Sequence, residues 1–228
     1  MRIIFVRHGH PNYEKDCLTE LGHRHAEAAA ERLKDEKIQR IFSSPLGRAY
    51  ETAEHIADPF GLDIEVCGFM REIGWRSIDG TPIFQDGHPW FTVDRMVSEG
   101  QSVMDASWNQ QEPFCNNKVI DCAKNVVAGL DEWLASLGYE RDGLYYRVCN
   151  GNEDTVVMAS HGGSSSVAIA HLFNLPFPFV CTAIKLDFTS ISIVSLKGEN
   201  GSLISPEIEI LNDARHIAHM SGDKEYGQ

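Results

Sequence analysis

No stretch of the 228-residue chain approaches the roughly 18 consecutive apolar residues of a membrane-spanning helix. The amino terminus carries one arginine and four apolar residues before Arg7, far short of a signal-peptide core, so a soluble cytoplasmic protein is expected. Metal-type cysteine spacing is missing too. The six cysteines, at 17, 67, 115, 122, 149 and 181, include no C-x-x-C pair, and reduced intracellular thiols are expected. Basic residues are scarce, 20 Lys and Arg against 33 Asp and Glu, and the formal net charge of −13 repels polyanions. Nucleic acid and anionic membrane surfaces are therefore not expected partners, whereas a small anion needs only a local cluster of cations. Solenoid-period repeats and low-complexity tracts are also absent. With 43% apolar and 23% charged residues, the chain reads as a single domain over residues 1–228.

What is present begins at the amino terminus. The apolar run Ile3-Ile4-Phe5-Val6 ends in Arg7-His8-Gly9-His10. A buried strand that stops there brings a guanidinium and an imidazole to the carboxyl edge of a sheet, where open α/β folds bind ligands. Strands and helical stretches then alternate, the pattern of an α/β sheet. Thr19 is placed to cap a helix through Ala26 to Leu33, and Ile38 to Phe42 reads as a second strand. Ser43-Ser44-Pro45 offers an N-cap and a first-turn proline, so a helix is expected to start there with Arg48 in its first turn.

From about 64 to 117 the periodicity weakens among Trp75, Phe84, Trp90, Phe91 and Trp108. Such a stretch is more often a functional insertion than a linker, and residues 73–117 are expected to form a lid or cap. Helical spacing returns over Val119 to Leu137. The strand Val156 to Ala159 ends in a second polar corner, Ser160-His161-Gly162-Gly163, followed by a helical run from Val167 to Phe173. Ala183 to Phe188 and Ile191 to Leu196 read as an antiparallel pair, with Ile208 to Leu211 as a third strand. Histidines 23, 25, 55, 216 and 219 fall in helical or tail contexts and are expected at the surface.

Val6-Arg7-His8-Gly9, Leu18-Thr19-Glu20-Leu21-Gly22, Ser43-Ser44-Pro45-Leu46-Gly47-Arg48-Ala49, Arg71-Glu72-Ile73 and Ser160-His161-Gly162-Gly163 follow one another in a distinctive order. Their order and spacing resemble the phosphoglycerate mutase-like branch of the histidine phosphatase superfamily. The likeness runs from residue 2 to about 176 and resumes at Leu211-Asn212-Asp213. It implies a three-layer α/β/α fold with a mostly parallel central sheet and a lid insertion. It also implies phosphorylation of His8, with Arg7, Arg48 and His161 around the phosphoryl group and Glu72 as general acid. The chemistry agrees with these residue types. Phosphate monoester hydrolysis needs an in-line nucleophile, cations on the phosphoryl oxygens and an acid for the departing alkoxide. A neutral imidazole held at its second nitrogen, planar guanidinium forks and helix-start amides at Gly162 and Gly163 supply these.

The family offers both mutases and phosphatases. A mutase must hold a second phosphate, yet the lid carries only Arg71, Arg76 and Arg95 before Lys118 and no tyrosine lies between 51 and 138. A phosphatase acting on a small phosphorylated substrate, with no metal and no cofactor, is the favoured expectation, and the aromatic lid points to an apolar or planar leaving side. Two departures stand out: Glu14 occupies a position where the family often has a phosphate-contacting asparagine, leaving Asn12 as its substitute, and His10 replaces a small polar residue. Both Asn12 and His10 are carried as candidate substrate contacts. His8-Gly9-His10 also resembles the H-x-H start of barrel-type metal hydrolases, but such barrels need about 250 residues and further ligands at later strand ends. A phosphate-binding protein without turnover is the remaining alternative.

Overall fold

The computed structural model describes residues 1–220, so residues 221–228 of the expected domain lie outside the description. The chain runs β1 (Arg2–Arg7), β2 (Pro11–Asn12), β3 (Cys17–Leu18), α1 (Glu20–Leu33), β4 (Ile38–Ser43), α2 (Gly47–Ala57) and β5 (Ile64–Val66). It continues with α3 (Pro89–Ser98), α4 (Val119–Ser136), β6 (Tyr139–Asp142), β7 (Tyr145–Val148), β8 (Thr155–Ser160), α5 (Gly162–Leu172) and α6 (Phe177–Ala183). It closes with β9 (Ile191–Ser195), β10 (Leu203–Ile204) and β11 (Glu207–Asp213).

Six strands form the central sheet in the order β11-β9-β1-β8-β4-β5. β1, β8, β4 and β5 pair in parallel, and β9 runs against β1 and β11. The central strands β1 and β8 are apolar without alternation because both faces are covered. On one face Ile4, Val6, Ile41 and Val157 pack with Leu33 of α1 and Ile56 of α2. On the other, Ile3, Phe5, Val156 and Met158 share a larger core with Leu130 and Leu134 of α4, Ile169 of α5 and Val180 of α6. The fold is thus the three-layer α/β/α arrangement with a mostly parallel sheet.

Thr19 caps α1 as expected, its hydroxyl accepting the Gly22 amide at 3.1 Å. The loop after β1 lies hard against this helix start: a Cβ on Gly22 would stand 2.1 Å from the His10 carbonyl oxygen, so the contact needs glycine. Three expectations are corrected. Helix α2 starts at Gly47 with Leu46 as N-cap, and neither Ser43 nor Ser44 caps it. Its first amide is instead accepted by Asp16 Oδ2 at 2.9 Å, a cap from 31 residues away. Residues 183–188 are not a strand, because α6 ends at Ala183 and an irregular segment follows; the antiparallel partner of β9 at the sheet edge is β11. His25 is buried in α1 at 5% exposure, where burial pushes its imidazole down to about 4.

Candidate active site

The carboxyl ends of β1 and β8 are adjacent in register, Arg7 opposite Ser160, so the residues that follow each strand meet. The His8 and His161 rings lie 5.2 Å apart, both buried. His8 Nδ1 is 2.7 Å from the Gly9 carbonyl oxygen. A carbonyl only accepts, so the neutral ring carries its proton on Nδ1 and presents the Nε2 lone pair. Burial, and after it the charge of Arg7, hold this imidazole well below its ordinary value. It is a free base at neutral pH, as a nucleophile must be.

His161 is neutral in this state as well, driven well below its ordinary value by burial and then by Arg48, Arg7 and Arg71. Its Nε2 lies 2.7 Å from Ser44 Oγ, which accepts the Leu46 amide at 3.3 Å and is free to donate its own proton to the ring. That arrangement leaves the ring proton on Nδ1, which is buried without a partner. Arg7 Nε and Arg48 Nε are likewise buried and have no hydrogen-bond partner among the described residues. Unpaired buried donors are costly, and these three are free to bond an anion.

The two arginines are held firmly. Arg7 Nη1 donates to the Leu186 carbonyl at 2.6 Å and its guanidinium stacks 4.2 Å above the Phe188 ring. Arg48 pairs with Asp16, the residue that also caps its helix. Glu72 joins from the other side. Its Oε1 accepts the Ile73 amide at 2.9 Å and the Ser164 amide at 3.1 Å, while Oε2 accepts only from Gly163 at 3.3 Å. Burial raises its carboxyl above the ordinary value against the pull of the Ile73 and Gly163 amides, Arg7 and the Ser164 amide. The amides of Gly163 and Ser164 are therefore spent on Glu72, which corrects the expectation that the Gly163 amide stands open to an anion.

Arg7, Arg48, Glu72 and Gly162 line one cavity of about 640 Å³ together with Tyr13, Trp75, Arg76, His88, Trp90, Phe91, Asp94 and Lys185. Residues of the 73–117 segment thus line the same cavity as Arg7, Arg48 and Glu72. His8, His161, Asn12 and His10 are not among the lining residues; the two buried imidazoles lie beneath the arginines, within reach of their charges. Asn12 Oδ1 accepts the Lys15 amide, closing the β2–β3 turn, and His10 Nδ1 bonds Thr19 Oγ1 at 2.9 Å. Among the described residues no three His, Cys, Asp or Glu side chains gather as a metal site. No single described helix is long and apolar enough to cross a membrane, although α5 and α6 together pass by length and composition across a 119° bend.

Several site residues went unread in the sequence. Tyr13 sets its ring edge-on to His8 at 6.5 Å and lies near Arg48, and nothing in the spacing marks it. Asp16, Ser44 and Phe188 act through partners 32, 117 and 181 residues away. Asn212 is the one for which a signal existed, in the Leu211-Asn212-Asp213 segment. Its side chain accepts the Asp187 amide at 2.8 Å and donates to the Lys185 carbonyl at 2.9 Å, clamping the segment whose Leu186 carbonyl holds Arg7.

The profile of the histidine phosphatase superfamily (branch 1) matches residues 3–208. The 2,3-bisphosphoglycerate-dependent phosphoglycerate mutase of Thermoplasma acidophilum is 38% identical over 81 residues, 31% of this chain and 40% of that protein. The match therefore spans less than half of that relative's length. Among solved structures, one titled mycobacterial hydrolase 2 is 25% identical with a TM-score of 0.64, covering 92% of this chain and 90% of that one. A mycobacterial glucosyl-3-phosphoglycerate phosphatase has 24% identity and a TM-score of 0.63, over 92% of this chain and 98% of its own, and shares the fold.

Proposed function

Because the chain belongs to branch 1 of the histidine phosphatase superfamily, we propose that it is a phosphatase hydrolysing a small phosphate monoester through a phosphohistidine on His8. The observation that carries this reading is the group of unpartnered buried donors, Arg7 Nε, Arg48 Nε and His161 Nδ1, around an imidazole whose Nδ1 is tied to a carbonyl. In the first step His8 Nε2 attacks phosphorus, the bond to the ester oxygen breaks, and Glu72 gives its proton to the departing alcohol. In the second, water attacks the phosphohistidine, Glu72 takes the proton it releases, and the nitrogen–phosphorus bond breaks to free inorganic phosphate. Arg7, Arg48 and His161 hold the phosphoryl oxygens throughout, worth most where water is excluded. Glu72 Oε2, with the single long amide contact, is the oxygen suited to carry the proton.

Hydrolysis is preferred over phosphoryl return to the same skeleton because of what the rest of the cavity contains. A second phosphate would meet four aromatic rings and Asp94 as well as Arg76 and Lys185. The test is a panel of phosphate esters assayed for inorganic phosphate with a chelator present, with His8→Ala as control and acid-labile phosphoenzyme trapped from the unaltered protein. Phosphate release that survives in His8→Ala removes His8 from the mechanism. Isomerised ester without phosphate release assigns a mutase instead.

A further inference from the structure

The cavity is lined by two chemically unlike groups of residues. Besides the arginines and Glu72, the lining includes Trp75, His88, Trp90 and Phe91. The His88 ring stands among the others, with centroids 4.6 Å from Trp75, 4.7 Å from Phe91 and 5.7 Å from Trp90. Burial lowers this imidazole below its ordinary value, so it is neutral, and its buried Nδ1 has no partner among the described residues.

This aromatic lining is held from behind. His88 is the N-cap of α3, and Gly87 before it adopts φ 76°. The buried Asn117 donates to the Gly87 carbonyl at 2.7 Å, and a Cβ on Gly87 would stand 2.6 Å from the same nitrogen. Arg76, next to Trp75, has φ 110°, a value side-chain-bearing residues rarely adopt, and its carbonyl accepts the Lys118 amide at 2.9 Å. Strained backbone of this kind persists where the surroundings fix it, typically beside ligand sites. Arg76 and Lys185 bring two positive charges to the lining and Asp94 one negative charge. The rest of the lining is apolar, the rings of Tyr13, Trp75, Trp90 and Phe91 with the aliphatic Ile73 and Leu186, and the His88 ring stands among them. Trp90 and Asp94 lie one turn apart on α3, so a polar group borders the ring faces.

We propose that this aromatic lining is the leaving-group subsite and that it selects phosphate monoesters whose alcohol carries a planar aromatic ring. The proposal rests on the reading that Arg7, His8 and Arg48 take the phosphoryl group. Stacking and edge-to-face contacts with three aromatic residues and a neutral imidazole reward a ring and give nothing comparable to a polyol.

Two esters of primary alcohols with similar intrinsic reactivity, 2-phenylethyl phosphate and propyl phosphate, separate the subsite from leaving-group chemistry. The expected kcat/KM favours the ring ester by about tenfold or more, and the ratio collapses toward unity in Trp90→Leu and Phe91→Leu. Calorimetric binding of both esters to His8→Ala reads the same preference without turnover and does not depend on the wall variants folding. Equal kcat/KM and equal affinity overturn the subsite while leaving the phosphatase reading intact. Tighter binding of the ring ester by His8→Ala, with no phosphate released from either ester by the unaltered protein, supports the subsite and overturns the phosphatase reading.

Discussion

Glutamine at position 72 isolates the proton from the rest of the site. Glu72 Oε1 makes the two shorter amide contacts, to Ile73 and Ser164, and Oε2 only the 3.3 Å contact to Gly163. Glu72→Gln can keep its carbonyl oxygen on the first pair and sacrifice the third. The stability loss is then about 1 kcal/mol, the worth of one modest hydrogen bond, readable as a small shift in a urea midpoint. The catalytic loss is far larger: general acid catalysis contributes roughly 10²- to 10⁴-fold, and an alkyl phosphate should lose activity on that scale. An ester such as 4-nitrophenyl phosphate, whose leaving group departs without a proton, should lose much less. The pH profile sharpens the test. Activity requires Glu72 protonated, so it falls as pH rises through a carboxyl value that burial has raised. It also requires His8 neutral, so it falls as pH drops through an imidazole value that burial has lowered. The profile of kcat/KM is therefore bell-shaped, and Glu72→Gln should abolish its alkaline limb. Equal losses for both esters, with an unchanged profile, would place the acid on another residue.

Other substitutions probe how the site is held. In Gly163→Ala the new Cβ would stand 2.4 Å from Ile73 Cγ1 and 2.5 Å from Glu72 Oε1; a loss of about 1–3 kcal/mol in chemical denaturation and a drop in kcat are expected, and a variant as stable and active as the parent would contradict the packing. Asn212→Ala releases the 185–187 segment and with it the Leu186 carbonyl that fixes Arg7. Inhibition by inorganic phosphate should weaken several-fold, whereas an unchanged inhibition constant would uncouple Asn212 from Arg7. His25 is neutral when folded, with its imidazole lowered from 6.5 to about 4. Its contribution to stability is whole above pH 6.5 and is lost as pH falls toward 4. Denaturation midpoints of His25→Phe should therefore fall less steeply with acid than those of the parent.

How much of this was legible depended on how far apart the interacting groups lie along the chain. The apolar runs of β1 and β8 and their polar endings, the Thr19 cap and the α4 periodicity are local patterns, set by burial and backbone geometry within a few residues. They were readable, and so was the order of the motifs that carries the family likeness. The α2 start was misplaced because Ser44-Pro45 has the local form of a cap, while Asp16 accepts the first helical amide and Ser44 serves His161. Residues 183–188 have the composition of a strand but lose that conformation to Asn212, which ties their backbone into a support for Arg7.

The residue types of the site, their placement at strand ends and the acidic character of the chain were written in the amino-acid order, since each follows from chemistry carried by neighbouring residues. The folded arrangement alone decided that Glu72 would occupy the first amides of α5, that Nδ1 of His8 would be tied to a carbonyl, and that Asn12 and His10 would turn to other partners. The first depends on segments 91 residues apart, Glu72 and Gly163, while the others pick one nearby partner among several, Gly9, Lys15 and Thr19. Hydrogen bonds and desolvation act through space, and linear spacing does not encode which of several competing donors lies nearest.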